Sequence, residues 1–136
     1  MIVEITSEAI LPLTKYLLSY ATSPVKVEKA YQTYLRSSDW HLFGLVEENL
    51  VIGCIGVETG PVFCEIKHLA VSPEERGIGR GTEMIQYILK TNPGKSIVAE
   101  TDHEAVDFYR KSGFMVTSLG EKYPGVERFF CDYAVK

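Results

Sequence analysis

The chain has 136 residues, enough for its own hydrophobic core, so we expect residues 1–136 to form a single domain. Its 14 basic and 18 acidic residues give a formal net charge of −4 with no strongly basic stretch, which excludes the basic surface of a general nucleic-acid-binding protein. The start lacks the basic residues of a signal peptide, and no window reaches the roughly eighteen apolar residues of a membrane span. We therefore expect a soluble, cytoplasmic protein with neither nucleic acid nor membrane as a partner.

The first forty residues predict one strand and two helices. Residues 1–5 alternate apolar and polar side chains as a strand does. Thr6 stands where an N-cap would, so a helix is expected to begin at Ser7, with apolar residues at helical spacing as far as Leu18. A second helix is expected over residues 27–35.

An antiparallel meander is predicted in the middle of the chain. The runs HLFGLVE and LVIGCIGVE are short and β-rich, and Glu48-Asn49 between them predicts a tight hairpin turn. A longer strand, VFCEIKHLAV, follows Pro61 and ends at Ser72-Pro73.

The last part of the chain predicts two further helices and three strands. In order, these are a helix with an apolar stripe at residues 84–89, a strand at 96–100, a helix from Asp102 to Gly113, and closing strands at 114–119 and 128–135. Asp102 can cap its helix and Gly113 is a helix-ending glycine. The strand, helix and strand that span residues 62–100 predict a right-handed crossover between parallel strands.

The sequence EERGIGRG, directly before the first of these helices, predicts an anion-binding turn. A helix N-terminus carries unpaired N–H donors and roughly half a positive charge, and glycines let an anion approach the backbone closely. The two arginines add positive charge and forked donors. We expect the turn to hold a diphosphate. Its residues are Arg76, Gly77, Ile78, Gly79, Arg80 and Gly81.

Better-known phosphate loops fit this turn less well. A mononucleotide loop requires a Lys-Ser or Lys-Thr pair, and none stands near the glycines. A dinucleotide fingerprint requires its third glycine where Thr82 stands. Glu100, however, lies where a ribose-binding acid would, so a nucleotide-dependent oxidoreductase stays an alternative. A turn that binds nothing is disfavoured, because each glycine costs about 0.5–1 kcal/mol of ordering entropy.

Residues 66–81, IKHLAVSPEERGIGRG, resemble the acyl-coenzyme A motif of the GNAT superfamily of N-acetyltransferases, which has Gln or Arg, two residues, Gly, one residue, then Gly or Ala. Arg76, Gly79 and Gly81 match that motif. A second motif, AVDFYRKSGF at residues 105–114, stands where the family places it. The resemblance implies an α/β (α+β) GNAT fold, with a central mixed, mostly antiparallel twisted sheet of about six to seven strands flanked by about four helices.

The resemblance also implies how acetyl-CoA, the cosubstrate, is bound. The backbone amides of residues 76–81 hold its diphosphate. The exposed backbone of Leu69, Ala70 and Val71 pairs with the pantetheine arm like an added strand, since pantetheine carries two amides. Asp102 stands where many members have Asn near the pantetheine, and an ionised Asp cannot donate a hydrogen bond, which puts a direct contact there in doubt.

Acyl transfer to an amine requires an acid, a base and an oxyanion stabiliser. The resemblance assigns Tyr109 as the acid, because a phenol of pKa near 10 is protonated at neutral pH; the alternative is that it only packs beside Phe108. Glu65 stands where some members draw a proton from the amine, and the alternative is a solvated acid on the strand face. Strand alternation places His68 on the opposite face from Glu65. The backbone N–H of Leu69 is the implied oxyanion donor.

Three cysteines, Cys54, Cys64 and Cys131, lie in apolar strand-like runs without metal-site spacing. We expect buried reduced thiols and no metal. A covalent route through Cys64 is the competing mechanism, but this thiol lacks an obvious activating base and an apolar strand raises its pKa.

The sequence therefore predicts an acetyl-CoA-dependent N-acetyltransferase that moves the acetyl group directly to a primary amine of a small-molecule or peptide acceptor. A non-catalytic acyl-CoA sensor or partner subunit is the alternative. By the family resemblance, the acceptor site is expected within residues 16–34 and 121–128. A homodimer is plausible, because Phe129, Phe130 and Tyr133 would be costly if exposed, although they can equally be core.

Overall fold

The computed structural model describes residues 1–133, which form seven strands and four α-helices around one sheet. The elements are β1 (Ile2–Glu4), α1 (Pro12–Ala21), α2 (Val27–Arg36), β2 (Trp40–Glu47), β3 (Leu50–Thr59), β4 (Phe63–Val71), α3 (Arg80–Thr91), β5 (Ser96–Asp102), α4 (Val106–Lys111), β6 (Met115–Tyr123) and β7 (Val126–Tyr133). A short 3₁₀ turn, Pro73–Glu75, joins β4 to the glycine turn. None of the helices within this part of the chain is long and apolar enough to cross a membrane.

The strands lie in the order β1-β2-β3-β4-β5-β7-β6. Among the described strands, only the neighbours β4 and β5 are parallel, and α3 joins them. A mixed, mostly antiparallel sheet flanked by four helices confirms the predicted fold. The open parallel sheet of a dinucleotide-binding domain, which the oxidoreductase alternative requires, is not present in residues 1–133.

The helices cover both faces of the sheet. Helices α1 and α2 pack over β2, β3 and β4 on one face, while α3 and α4 pack on the other. Neighbouring residues of β3 show the division, because Cys54 belongs to the core under α1 and α2 and Ile55 belongs to the core under α3 and α4. The first core is filled largely by Leu17, Leu18, Val27, Tyr31 and Leu42, and the second by Leu45, Met84, Ile85, Ile88 and Ile97.

Helix α1 begins at Pro12, so the predicted start at Ser7 is wrong. A proline ring removes one N–H group and clashes with the carbonyl four residues earlier, so Pro12 fits the first position of a helix but not its interior. Leu11, the residue before it, is extended with ψ 150°. The preceding segment is held instead by the hydroxyl of Tyr31, which donates to the carbonyl of Ser7 at 2.6 Å.

The predicted hairpin at Glu48-Asn49 is confirmed. Both residues have positive φ, 50° and 65°, and they join the paired residues Glu47 and Leu50. A two-residue turn with positive φ at both positions matches the right-handed twist of the strands that it connects.

The β6–β7 hairpin is longer than predicted, because only Pro124 and Gly125 separate its strands. Strand β7 lies inside the sheet and β6 forms its edge. Phe129 and Tyr133 pack against the core, and Phe130 is 38% exposed. Two of the three aromatic residues that suggested a homodimer are thus partly buried against the core, and the homodimer stays a prediction.

The pairing of β4 with β3 is irregular between Ile66 and His68, where β4 has one extra residue. His68 pairs with Gly56 and Ile66 pairs with Val57, so Lys67 has no partner on β3. An unpaired residue of this kind is a β-bulge, which interrupts the alternation of side chains between the two faces.

The bulge places His68 on the same face of the sheet as Glu65, and the prediction of opposite faces is wrong. Lys67 pairs with Glu65 at 3.0 Å and lies over the ring of Trp40, with 5.4 Å between its Nζ and the ring centroid. Tyr34 of α2 packs edge-on against both Trp40 and His68. These side chains therefore form one continuous cluster under α2.

Gly56 leaves the space that Tyr34 occupies. A Cβ built on Gly56 would lie 1.8 Å from the Tyr34 hydroxyl oxygen. One on Gly53, in the same strand, would meet the flexible end of Met84 at 3.0 Å and the carbonyl oxygen of Ala70 at 3.2 Å. We expect Gly56→Ala to lower the free energy of unfolding by about 1–3 kcal/mol, as overpacking does, and Gly53→Ala to lower it less. Urea unfolding measures both variants, and equal losses would contradict this account.

Candidate functional site

The glycine turn before α3 presents unpaired backbone donors. Gly77 and Gly79 have φ values of 78° and 91°, which favour glycine, and an added Cβ on either would meet nothing within 4 Å. No acceptor in residues 1–133 receives a hydrogen bond from the N–H groups of residues 77–82. Donors at the start of a 12-residue helix form a site suited to an anion.

Gly81 requires a glycine for a different structural reason than Gly77 and Gly79 do. A Cβ at this position would lie 2.8 Å from Cζ of Phe108, so the glycine lets α3 approach α4 closely. Its missing Cβ serves helix packing rather than opening the backbone to an anion, which corrects the sequence-based account of this residue.

Arg76 lies between the turn and the end of β4. Its Nε donates to the carbonyl of Val71 at 2.9 Å, and its guanidinium lies 4.9 Å from the ring centroid of Tyr20. The cation–π contact and the hydrogen bond hold the positive charge at the edge of the cavity described below.

The side chain of Arg80 is neutralised by three carboxylates. Its terminal nitrogens lie 2.5 Å from Glu47, 3.3 Å from Glu75 and 3.4 Å from Glu83. Its terminal nitrogens, expected to offer forked donors to a diphosphate, are thus paired with carboxylates, while its Nε is buried without a hydrogen-bond partner in residues 1–133. Its backbone N–H still belongs to the unpaired set at the helix start.

Strands β4 and β5 separate next to the glycine turn. Their parallel pairing runs from Phe63 and Ser96 to Ile66 and Ala99, whereas β3 stays paired with β4 as far as Val71. The gap opens into a cavity of about 850 Å³, within the usual size range of ligand sites. Backbone groups on the β5 side at the end of β4, apart from the Val71 carbonyl that Arg76 already binds, are thus available for pairing with an extended ligand.

The cavity brings together most of the predicted site residues. It is lined by Leu69, Ala70, Val71, Arg76, Gly77, Gly79, Arg80, Gly81 and Tyr109. Ile78 is 64% exposed outside the cavity wall, and Glu65 does not line the cavity.

Tyr109 of α4 lies in the wall of this cavity and is only 6% exposed. Its ring packs edge-on between Phe108 and Phe114, each with a centroid distance of 5.3 Å. Burial, and to a smaller extent the nearby Cys131 thiol, raise the pKa of the Tyr109 phenol above its ordinary value of 10.0. The hydroxyl makes no hydrogen bond within residues 1–133, so its proton is available to a ligand.

Glu65 and Cys64 lie on opposite faces of β4, and neither lines the cavity. Glu65 pairs with Lys67 at 3.0 Å, and its role as a base stays a prediction. Cys64 is fully buried, and burial raises the pKa of its thiol to about 11. A buried neutral thiol is a poor nucleophile, which disfavours the covalent route.

His68 lines the cavity and was not among the predicted site residues. Its Nδ1 lies 2.5 Å from the hydroxyl oxygen of the buried Tyr34. Burial, and to a smaller extent the charge of Lys67, lower the pKa of the imidazole below 6.5. The one sequence signal was Gly56, because a glycine inside a strand marks a close approach, but it does not tell which side chain approaches.

Two acidic residues in the cavity wall already have protein partners. Asp102 accepts hydrogen bonds from the amides of Glu104 and Ala105 at 3.0 and 3.2 Å, and these bonds hold the turn between β5 and α4. Helix α4 begins at Val106, its N-cap is Ala105 and it has no side-chain cap, so the prediction that Asp102 caps this helix is wrong. Glu100 accepts from Lys122 at 2.9 Å and from Arg128 at 3.2 Å, and these bonds lower the pKa of its carboxyl.

Sequence comparison identifies relatives for this chain. The model of the acetyltransferase (GNAT) domain matches residues 6–127. An uncharacterized N-acetyltransferase of Schizosaccharomyces pombe is 35% identical over 79 residues, which cover 52% of this chain and 48% of the relative. A peptidyl-lysine N-acetyltransferase of Salmonella typhimurium is 38% identical over 63 residues, which cover 41% of this chain and 43% of that protein. Each match thus spans less than half of the relative.

Structural comparison points to the same fold. The crystal structure of a GNAT family acetyltransferase from Elizabethkingia anophelis with acetyl-CoA bound superimposes with a TM-score of 0.77 at 20% sequence identity. The superposition covers 99% of this chain and 97% of that one. The likeness therefore extends over the whole sheet and its four helices.

Proposed function

The chain belongs to the acetyltransferase (GNAT) family, and we propose that it transfers an acetyl group from acetyl-CoA directly to a primary amine. One observation carries the proposal. The unpaired amides of residues 77–82 lie at the edge of the cavity where β4 and β5 separate. Such a site can bind two parts of one ligand at once: a diphosphate at the turn and an extended amide chain along β4.

The residues present fit acetyl-CoA by their chemistry. Gly77 and Gly79 keep the backbone open to phosphate oxygens, and Arg76 adds a positive charge beside them. The backbone of Leu69, Ala70 and Val71 would pair with the pantetheine amides. The neutralised side chain of Arg80 leaves the backbone donors as the main contribution of the turn.

Acetyl-CoA would supply an activated acyl group as a thioester, and the protein would supply proton transfer and charge stabilisation. We assign the Tyr109 hydroxyl as the acid that protonates the departing sulfur. The backbone N–H of Leu69 is the proposed donor to the carbonyl oxygen, an interaction of about 3 kcal/mol in other acyl transferases. The burial of Cys64 favours direct transfer over a covalent enzyme intermediate.

The acceptor is proposed to be a small-molecule or peptide amine. One matched relative is a peptidyl-lysine N-acetyltransferase, so lysine peptides belong in the first acceptor panel. Small diamines, amino sugars and peptides with a free N-terminus complete that panel.

Thiol release from acetyl-CoA across the amine panel tests the proposal, with calorimetric binding of acetyl-CoA measured in parallel. We expect binding together with amine-dependent thiol release for at least one acceptor class. Binding without release for any amine would instead support the non-catalytic sensor. Absence of acetyl-CoA binding would contradict both functions.

A further inference from the structure

We propose that His68 is the catalytic base that takes the proton from the acceptor amine, and that Tyr34 is the positioning residue that holds its ring. This inference rests on the proposed acetyl transfer and assigns within it the group that deprotonates the acceptor. It replaces Glu65 as the base.

The geometry brings His68, and not Glu65, to the cavity. The β-bulge at Lys67 shifts the alternation of β4, and the residue after the bulge lies in the cavity wall where β4 leaves β5. Glu65 lies before the bulge, does not line the cavity and is paired with Lys67.

The Tyr34–His68 pair depends on space that only a glycine provides. Gly56 is the β3 partner of His68, and a Cβ there would lie 1.8 Å from the Tyr34 hydroxyl oxygen. The hydroxyl can therefore reach Nδ1 of His68 only because this position lacks a side chain. The ring is further fixed by edge-on packing against Tyr34, with 5.6 Å between centroids.

A base at Nε2 requires one particular tautomer of His68. In that tautomer Nδ1–H donates to the hydroxyl oxygen of Tyr34, and the lone pair of Nε2 is free. No hydrogen bond within residues 1–133 occupies Nε2. Burial raises the pKa of Tyr34, so this partner stays a neutral phenol and its oxygen can accept the Nδ1–H bond before and after the ring is protonated.

The charges around His68 favour its neutral form at neutral pH. Burial first, and Lys67 second, lower the pKa of the imidazole, while the carboxylates of Glu58 and Glu65 are paired with Lys67. The ionisable groups beside His68 on the elements packed against it are Tyr34 of α2, Cys54 and Glu58 of β3, and Glu65 of β4. Those that share the cavity wall with it are Tyr20, Lys67, Glu75, Arg76, Arg80, Glu100, Asp102, Glu104, Tyr109, Lys111 and Arg128. Burial raises the pKa of Cys54 to about 12, so its thiol adds no charge there.

The protons of the reaction balance with this assignment. Nε2 of His68 takes one proton from the acceptor ammonium, and the freed nitrogen lone pair forms the C–N bond as the C–S bond breaks. Tyr109 gives its proton to the sulfur that leaves with the bonding electrons. The second proton lost by the nitrogen restores the Tyr109 hydroxyl, and His68 releases its proton to solvent. One ammonium and one thioester thus give one amide, one thiol and one proton.

The decisive measurement is the pH profile of kcat with both substrates saturating. A base must be unprotonated, so wild-type kcat is expected to fall as pH falls, with a midpoint below 6.5. His68→Gln should lower kcat about 100-fold at pH 7 and remove this acid limb, because a glutamine cannot accept the proton. Its dissociation constant for acetyl-CoA should stay within about 2-fold of wild type.

His41→Gln is the matched control. His41 lies on β2, pairs with Glu4 at 2.8 Å and does not line the cavity, so this variant should keep the wild-type profile. An acid limb that persists in His68→Gln would overturn the inference. The inference would also be overturned if Glu65→Gln lost the acid limb of the kcat profile while His68→Gln kept the wild-type profile.

Tyr34→Phe separates positioning from simple structural support. Without the hydroxyl oxygen the imidazolium loses the acceptor for its Nδ1–H, so the acid limb should move to still lower pH while kcat falls several-fold. Nitrogen-15 NMR of labelled histidine in the wild-type protein checks the tautomer directly, and His68→Gln identifies the signal. A proton on Nε2 rather than Nδ1 would overturn the inference without any variant.

The outcome for this inference is distinct from that for the proposed function. A wild-type protein that releases no thiol with any amine overturns both. A wild-type protein that acetylates an amine while His68→Gln retains its rate and pH profile overturns the His68 assignment alone.

Discussion

Tyr109→Phe is expected to lower kcat by between about 10²- and 10⁴-fold and to leave the affinity for acetyl-CoA unchanged. A positioned general acid contributes a rate factor of about this size, and phenylalanine fills the same space between Phe108 and Phe114 without a transferable proton. Steady-state thiol release gives kcat, and calorimetry gives the dissociation constant. A variant that kept the full rate would show that another group protonates the sulfur.

The raised pKa of Tyr109 adds a second expectation. The acid form is lost only as pH rises through a pKa that burial holds above 10.0, so wild-type kcat should show no alkaline fall up to pH 10. Tyr87→Phe is the control variant, because Tyr87 of α3 packs against Phe43 of β2 and does not line the cavity. It should match wild type in rate and in pH profile.

Gly79→Ala is expected to weaken acetyl-CoA binding about 10- to 100-fold. The φ of 91° costs an alanine about 1–2 kcal/mol, and a turn that relaxes to avoid this strain redirects its amides away from the diphosphate. Each charge-assisted hydrogen bond that is lost costs about 1.5–3 kcal/mol, or about one to two factors of ten in affinity. Calorimetric titration with acetyl-CoA measures the effect.

Gly94→Ala controls for backbone strain alone. Gly94 follows α3, has a φ of 79° and, like Gly79, has no atom within 4 Å of an added Cβ. Both variants should lose similar stability to urea, but only Gly79→Ala should lose affinity. Equal affinities in the two variants would show that the glycine turn is not the diphosphate site.

The elements that follow local rules were predictable from the sequence. The hairpin at Glu48-Asn49 depends on residues that are neighbours in the chain, and it is confirmed. The start of α1 was misplaced because helical spacing of apolar residues was weighed above the position of Pro12. Pro12 is itself a local signal, so that error was avoidable.

The composition of the site was less predictable than its location. The glycines and Arg76 located the turn, but whether each arginine is free depends on carboxylates that are distant in the chain, such as Glu47 beside Arg80. The bulge at Lys67 arises from the pairing of β3 with β4, and no pattern within VFCEIKHLAV reports it. His68 was therefore assigned to the wrong face.

The sequence alone determined the order of most strands and helices along the chain, the position of the glycine turn and the family to which the chain belongs, because these depend on local conformation and on motifs that are continuous in the chain. Only the tertiary structure decided which side chains meet in the cavity. That choice depends on strand register and on close packing, where one unpaired residue or one missing Cβ changes which groups can touch. The meeting of Tyr34 with His68 beside Gly56 is the clearest case, since the three residues come from three different elements.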